Sequence, residues 1–312
     1  MKIGLDVLGG DFAPSSTITG AISALEELSS DEKIVLFGDE EACRNQIVEA
    51  GVNPEEFLYV HAPENISMHE HPTKAFALKP NSSISKGFQM LKEKEIDSFA
   101  SAGSTGAMLV GSMFTVKTIP GVNRPAIATH VPKWKEGFGL LLDIGANADC
   151  KPEMLSQFAT LGSIYTEFVW GIDKPKVGLL NIGEEKEKGN HLTIAAHPLL
   201  ENNEQINFIG NVEGRELFSE LADVLVCDGY TGNIVLKLAE SFYVTTLQKG
   251  YRDEFFDKFN YENYGGTPIL GVNAPVIVGH GISSPKAIKN MVLLSRDMVG
   301  SQYIDRIRSA FN

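Results

Sequence analysis

The chain has 312 residues, 43% of them hydrophobic and 21% charged, the make-up of a globular protein rather than a disordered one. At this length it can bury a large core, as one α/β unit or two fused lobes. A net charge of −13 argues against nucleic-acid binding, which needs a basic surface, so cations for any anionic ligand must be local.

Short β-branched runs at 2–7, 33–37, 57–60, 98–100, 126–130, 139–143, 176–181, 205–210, 223–227 and 275–279 read as buried strands. Stretches 15–28, 151–170 and 214–221 between them carry helical periodicity, and a further helix starts near Ser83. This alternation predicts an α/β fold whose sheet is parallel, with helices on both faces and ligands at the carboxyl ends of the strands. Segment 248–264, QKGYRDEFFDKFNYENY, is the most polar and aromatic part of the chain and reads as a helix or helical turn ended by Gly-Gly. A lobe boundary is expected near Gly121.

Cys43, Cys150 and Cys227 are far apart and form no C-x-x-C, which suits reduced thiols in a cytoplasmic protein better than a disulfide or zinc framework. The amino terminus, MKIGLDVLGGDF, lacks the apolar run and cleavage site of a signal peptide, and no run approaches the length of a membrane span. The expectation is a soluble protein.

The chemistry-bearing residues sit in loops after strands. In 6–14, DVLGGDFAP, Gly9 and Gly10 permit close backbone approach, and Asp11 precedes a helix whose first turn suits Pro14. Such a loop can present N–H groups to an anion, but it reads equally as a tight turn with a capping aspartate. Lys79 with Ser82 and Ser83 at a helix start offers charge and hydroxyls to phosphate; an ordinary cap with a solvated lysine is the alternative. Ser104, Thr105 and Gly106 in SAGSTGA leave room for a ligand or for close helix packing. Arg124 can hold phosphate or cap a helix end, and Asp143 and Asn147 can orient a ligand or satisfy a turn. The loops around Lys188, Asp228, Asn233, Lys237 and His280 complete the set.

Other patterns fail. His69-Glu70-His71 is not H-E-x-x-H and has no third ligand, and no G-x-S-x-G elbow supports a serine hydrolase. The loops are neither G-x-G-x-x-G nor a P-loop, so no nucleotide is indicated. Motif logic alone stops at an anion-binding α/β enzyme.

Taken in order, the loops resemble one family: the phosphate acyltransferases of bacterial phospholipid synthesis (PlsX). The resemblance rests on DVLGGDFAP, SAGSTGA, RPA (124–126), LDIGAN (142–147), GLLNIGEE (178–185), KGN (188–190), NFIGNVEG (207–214), DVLVCDGYTGNIVLK (223–237), YGGTPILGV (264–272) and GHG (279–281), nearly end to end. It implies one domain over residues 1–312 with the three-layer α/β/α sandwich and mostly parallel sheet of phosphotransacetylases and isocitrate/isopropylmalate dehydrogenases. It also implies a homodimer that moves a long-chain acyl group from acyl carrier protein to inorganic phosphate, feeding a membrane glycerol-3-phosphate acyltransferase, without metal or nucleotide cofactor.

Carried residue by residue, the resemblance puts Lys188 and Asn233 at the reaction centre. Phosphate falls to Lys79, Ser82, Ser83 and Arg124, with the backbone of Gly9, Gly10, Ser104 and Thr105. Asp11, Gly106, Asn147, Asp228, Lys237 and His280 flank substrate. Ser104 stands where the family more often has asparagine, and Glu187 stands beside Lys188 where basic residues are common. Segment 238–263 is shorter than in the family, yet Phe255, Phe256 and Phe259 beside Lys249, Arg252 and Lys258 keep a character suited to peripheral membrane or carrier contact through 248–262, or to a packed helix at the dimer interface. The competing activities are a short-chain phosphotransacetylase acting on acyl-CoA and a dehydrogenase of the isocitrate family. The latter needs an aspartate cluster and several arginines that the sequence lacks.

Overall fold

The computed structural model describes residues 1–311. From the amino end the chain forms β1 (Lys2–Asp6), α1 (Ser15–Ala24), β2 (Lys33–Gly38), α2 (Glu40–Glu49), β3 (Leu58–His61), α3 (Pro72–Leu78), α4 (Ser83–Lys92), β4 (Ser98–Ser101) and α5 (Thr105–Gly111). Then follow β5 (Ala126–Pro132), β6 (Phe138–Leu142), α6 (Pro152–Trp170), β7 (Lys176–Asn181), α7 (His191–Glu201), β8 (Asn207–Glu213), β9 (Val224–Val226) and α8 (Gly229–Gln248). The last elements are α9 (Glu254–Asp257), β10 (Thr267–Leu270), β11 (Val276–Val278), α10 (Pro285–Gly300) and α11 (Tyr303–Phe311). The fold is α/β, with two compact units: Met1–Thr118 with Tyr261–Gly300, and Ile119–Asn260 with Ser301 onward.

In the first unit the strands run β3-β2-β1-β4-β11-β10, all parallel except the β10–β11 pair. Side chains alternate across the sheet. On one face Phe37 and Phe99 meet edge to face at 5.5 Å, and Phe88 of α4 adds a third ring at 5.3 Å from Phe99. Gly4 and Gly87 flank these rings because a Cβ at either position would strike Phe99, at 3.0 and 2.1 Å. On the other face Gly38 and Val7 lie against Cys43 of α2, in one layer with α1 and α10. Gly20 of α1 brings that helix so close to α10 that a Cβ would stand 2.5 Å from Ile288 Cβ and 2.6 Å from the Pro285 carbonyl.

In the second unit the order is β5-β6-β9-β7-β8, with β5 antiparallel to β6 and the rest parallel. Gly162 of α6 seats that helix on Leu142 and Val224. Tyr165 and Tyr303 cross at 5.8 Å, tying α11 to α6.

One of the expected elements changes. The helix over 214–221 is only a 3₁₀ turn, Gly214–Glu216, because the Ser219 hydroxyl donates to the Glu216 carbonyl and accepts from the Leu221 amide, closing the chain into a bend. Each unit carries one antiparallel pair, β10–β11 and β5–β6, among otherwise parallel neighbours, the mostly parallel arrangement expected. Segment 248–264, expected as a helix or helical turn, forms short helical turns: α8 ends at Gln248, Gly250 turns at φ +73°, and short α9 and a 3₁₀ turn follow. Two of its phenylalanines pack internally, Phe255 stacking on Trp134 at 4.2 Å and Phe259 meeting Phe218 at 5.3 Å. Lys258 donates to the Lys135 carbonyl at 3.2 Å.

The α1–α10 contact yields a stability prediction. Gly20→Val overpacks it and lowers stability by about 1–3 kcal/mol in urea unfolding, outweighing any gain in helix propensity. An unchanged midpoint contradicts the packing described.

Candidate active site

The first unit's sheet reverses its direction of growth between β1 and β4, the position where an open α/β sheet forms a ligand crevice at its carboxyl edge. Asp6 ends β1 there, fully buried. The Ser101 hydroxyl, from the end of β4, donates to its Oδ2 at 2.6 Å and accepts from the Gly103 amide at 2.9 Å, while the Leu8 amide donates to Oδ1 at 3.0 Å. Burial pushes the Asp6 carboxyl above the usual aspartate value, and the hydrogen bonds from Ser101 and from the Leu8 and Gly9 amides pull it back. Gly9 is required at this crossing, since a Cβ would meet the Gly103 nitrogen at 2.6 Å and Asp6 Oδ2 at 2.7 Å.

Gly10 takes φ +104°, and the Asp11 amide donates to the Gly281 carbonyl at 2.7 Å. That bond brings the His280 loop to the 9–11 loop, with His280 exposed and stacked on Tyr261 at 5.2 Å. Ser104 caps α5 through its hydroxyl, accepting from the Ala107 amide, and Thr105 is exposed beside it. Gly106 serves packing, since a Cβ would stand 2.4 Å from Pro72.

Lys79, Ser82 and Ser83 are occupied differently from the sequence expectation. Lys79 Nζ pairs with Glu70 at 2.7 Å and donates to the Asn65 carbonyl at 2.9 Å, so its charge is already matched. Ser82 is buried as the cap of α4, bonded to Ser85. Ser83 is buried near Asp6, where its hydroxyl favours the carboxylate but forms no hydrogen bond of normal geometry. Glu70, the centre of the His-Glu-His pattern, is thereby the partner of Lys79. Among the described residues no cluster of three or more His, Cys, Asp or Glu could hold a metal ion.

In the second unit the growth direction reverses between β9 and β7, which pair in register through Leu179 and Val226. The loop bearing Lys188 leaves β7, and the turn bearing Asp228 and Asn233 leaves β9, so both start from neighbouring parallel strand ends. Asp228 caps α8, accepting from the Thr231 amide and hydroxyl, each at 2.8 Å. Asn233, one turn into α8 and half-buried, donates to the Ile144 carbonyl at 2.9 Å. Lys237, one further turn along, is exposed.

Next to β9, Asp143 follows the end of β6 and is fully buried. Its Oδ1 accepts from the amides of Ile127, Gly145 and Ala146 at 3.0, 3.2 and 3.1 Å. Its Oδ2 accepts from the Asn147 amide at 2.7 Å and side chain at 2.9 Å. Burial pushes this carboxyl above the usual range, and the amides and the Asn147 side chain oppose the shift. Asn147 Nδ2 also donates to the Pro125 carbonyl at 2.8 Å, and the Gly229 amide donates to the Asn147 carbonyl at 2.8 Å. Through this one carboxylate the loop before β5, carrying Arg124, joins the turns carrying Asn147, Asp228 and Asn233. Because β5 runs antiparallel to β6, its start lies on the same edge as the end of β6.

Arg124, Lys188 and Lys237 form no ion pair among the described residues, unlike Lys79. The cysteines are not activated: burial pushes the Cys43 thiol to about 11 and Cys150 to about 12, and holds Cys227 well above its ordinary value. Asp6 and Ser101, which open DVLGGDFAP and SAGSTGA, connect the loops of the first unit's edge, a role the motifs alone did not assign. Their signal was a polar residue ending a buried strand immediately before a glycine-bearing loop.

Removing the Asp143 carboxylate strands buried donors. Asp143→Ala is expected to cost about 3–5 kcal/mol in urea unfolding, as unsatisfied buried groups cost roughly 1–3 kcal/mol each and the loops partly relax. A loss below about 1 kcal/mol would show that the loops hold together without it.

The family described as fatty acid synthesis protein matches residues 1–253. The chain is 41% identical over 331 residues to a phosphate acyltransferase of Dictyoglomus turgidum, covering 100% of this chain and 98% of that protein. It is 41% identical over 330 residues to one of Salinibacter ruber, covering 99% and 97%. A phosphotransacetylase from Streptococcus pyogenes shares the fold with a TM-score of 0.69 at 18% identity, over 98% of this chain and 94% of that one. The EutD phosphotransacetylase from Staphylococcus aureus does so with a TM-score of 0.65 at 16% identity, over 96% and 94%.

Proposed function

Because the chain belongs to the phosphate acyltransferase family, and is therefore an acyltransferase, we propose that it transfers a long-chain fatty acyl group from acyl carrier protein to inorganic phosphate. The product, an acyl phosphate, would serve phospholipid synthesis. The observation that carries this reading is local. On an acidic chain, Arg124, Lys188 and Lys237 stand without carboxylate partners among the described residues, on or beside the loops at the carboxyl edge of the second unit. An anionic co-substrate supplies the missing counter-charge.

In this reading a phosphate oxygen attacks the thioester carbonyl. The C–O bond forms, the carbonyl carbon passes through a tetrahedral oxyanion, and the C–S bond breaks to release the carrier as thiolate, which takes up a proton from solvent. Lys188 and the amide of Asn233 polarise the carbonyl and balance the developing oxyanion, Arg124 holds phosphate, and the Asn147 turn fixes the edge on which they stand. Fixed donors of this kind can contribute about 3–4 kcal/mol each. No acyl-enzyme is needed, consistent with thiols held protonated by burial. No metal or nucleotide enters the scheme.

The partners follow from the same reading. Tyr230, Ile234, Leu238 and Phe242 make an i, i+4 apolar stripe along α8 that is open to solvent, the surface on which a second copy of the chain would seat as a homodimer. Among the described residues no helix is long and apolar enough to cross a membrane. A cytoplasmic enzyme that hands its product to a membrane acyltransferase fits this account.

Phosphate-dependent release of carrier thiol from palmitoyl-acyl carrier protein, set beside palmitoyl-CoA and acetyl-CoA, tests the donor. Release is expected from the carrier substrate and to fall by about 100-fold or more in Lys188→Ala and Asn233→Ala. Release from acetyl-CoA alone would move the chain to the short-chain phosphotransacetylases. Cys150→Ser is expected to keep activity within about twofold, and wild-type Cys150 to resist iodoacetamide at pH 8, because its pKa near 12 leaves little thiolate. Rapid alkylation with loss of turnover would point to a thiol nucleophile.

A further inference from the structure

The loop bearing Lys188 is fixed by bonds to its backbone. The Lys188 amide donates to the Glu185 carbonyl at 3.0 Å, and the Lys188 carbonyl accepts from Asn181 Nδ2 at 3.0 Å. The lysine stem lies over Gly183, where a Cβ would stand 2.9 Å from Lys188 Cγ. Gly189 turns at φ +112° under the side chains of Asn181 and Thr193, and Asn190 caps α7.

The Glu185 carbonyl has a second donor, and it comes from outside the loop. Asn211 Nδ2, on β8, donates to it at 2.8 Å. A carbonyl oxygen can only accept, so the Asn211 amide must turn its NH₂ group to Glu185 and its Oδ1 the other way. Oδ1 faces His197 Nδ1 of α7 at 3.1 Å. That nitrogen must therefore carry a hydrogen, which orients the amide. His197 and Asn211 are 4% and 6% exposed, and Phe208 packs edge to face on the imidazole at 5.2 Å. Neither side chain reaches the carboxyl-edge loops except through Glu185.

We propose that His197 and Asn211 are positioning residues for Lys188: a buried relay from α7 through β8 that holds the Glu185 carbonyl, and through it the turn that aims the lysine. The inference rests on the reading of Lys188 as a reaction-centre residue. The relay explains how a lysine on an exposed, charge-rich loop keeps one direction. Truncating either member removes or misorients the second donor to the Glu185 carbonyl, leaving only the Lys188 amide, without touching a substrate-facing group.

The test has two readouts in the full-length protein. The first is backbone hydrogen exchange of peptide 182–190, where Asn211→Ala and His197→Phe should each raise the rate at least tenfold beyond any rise in the strand peptides of the same unit, which report lost global stability. The isosteric Asn211→Asp cannot donate to a carbonyl and should match Asn211→Ala. His197→Asn, which returns a donor near the Nδ1 position, should restore protection. The second is steady-state transfer from palmitoyl-acyl carrier protein to phosphate. There kcat should fall about tenfold with KM within twofold, and Asn211→Ala added to Lys188→Ala should change the residual rate less than twofold. Unchanged exchange in 182–190, or Asn211→Asp behaving as wild type, overturns the relay whatever the rates. Lost protection with a fully active Lys188→Ala would leave the relay standing and refute the role of Lys188. A tenfold further loss in the double variant would show that Asn211 acts by another route, overturning its role as a positioner of Lys188.

Discussion

A carboxylate sealed at the end of a strand is the constraint on which this molecule's working edge depends. Asp143 has left water, which raises its pKa, and only the ring of amides around it makes that burial tolerable. Each donor belongs to a segment that must be held in place: the start of β5, the 145–147 turn and, through Asn147, the residue after Arg124 and the first residue of α8. Asp6 does the same on a smaller scale in the first unit, gathering Ser101 and through it Gly103. Two buried acids thus organise the strand-end loops of the two units, Asp143 through backbone amides and the Asn147 side chain, Asp6 through the Leu8 amide and the Ser101 hydroxyl.

Much of this was legible in the sequence, for physical reasons. Apolar β-branched runs ending in polar-glycine loops read as buried strands with exposed carboxyl ends, and Lys188 lies on such a loop, whereas the run through Asn233 and Lys237, read as a loop, is the start of α8. The pairing of Lys79 with Glu70 was not legible, since the two flank α3 at opposite ends and no local rule joins them. Nor was the direction of β5: a short connection between two apolar runs does not say hairpin until Gly137 takes φ +78°. That reversal carries Arg124 from the start of a strand to the working edge.

Segment 248–264 shows the same limit from the other side. Its composition suits a membrane surface, a carrier protein or a packed face equally, and only tertiary structure reveals Phe255 stacked on Trp134 and Lys258 spent on backbone carbonyls. Along α8 exposed apolar side chains form a continuous i, i+4 stripe, Tyr230, Ile234, Leu238 and Phe242.

The central claim is direct attack of phosphate on a thioester without an acyl-enzyme. Palmitoyl-acyl carrier protein and phosphate labelled with oxygen-18 would be mixed with enzyme in a single turnover, and both product and protein weighed by mass spectrometry. The account predicts palmitoyl phosphate retaining all of the phosphate label, including the oxygen bridging to the acyl carbon, and enzyme of unchanged mass throughout. Enzyme carrying a palmitoyl group, formed before phosphate is added, would contradict it.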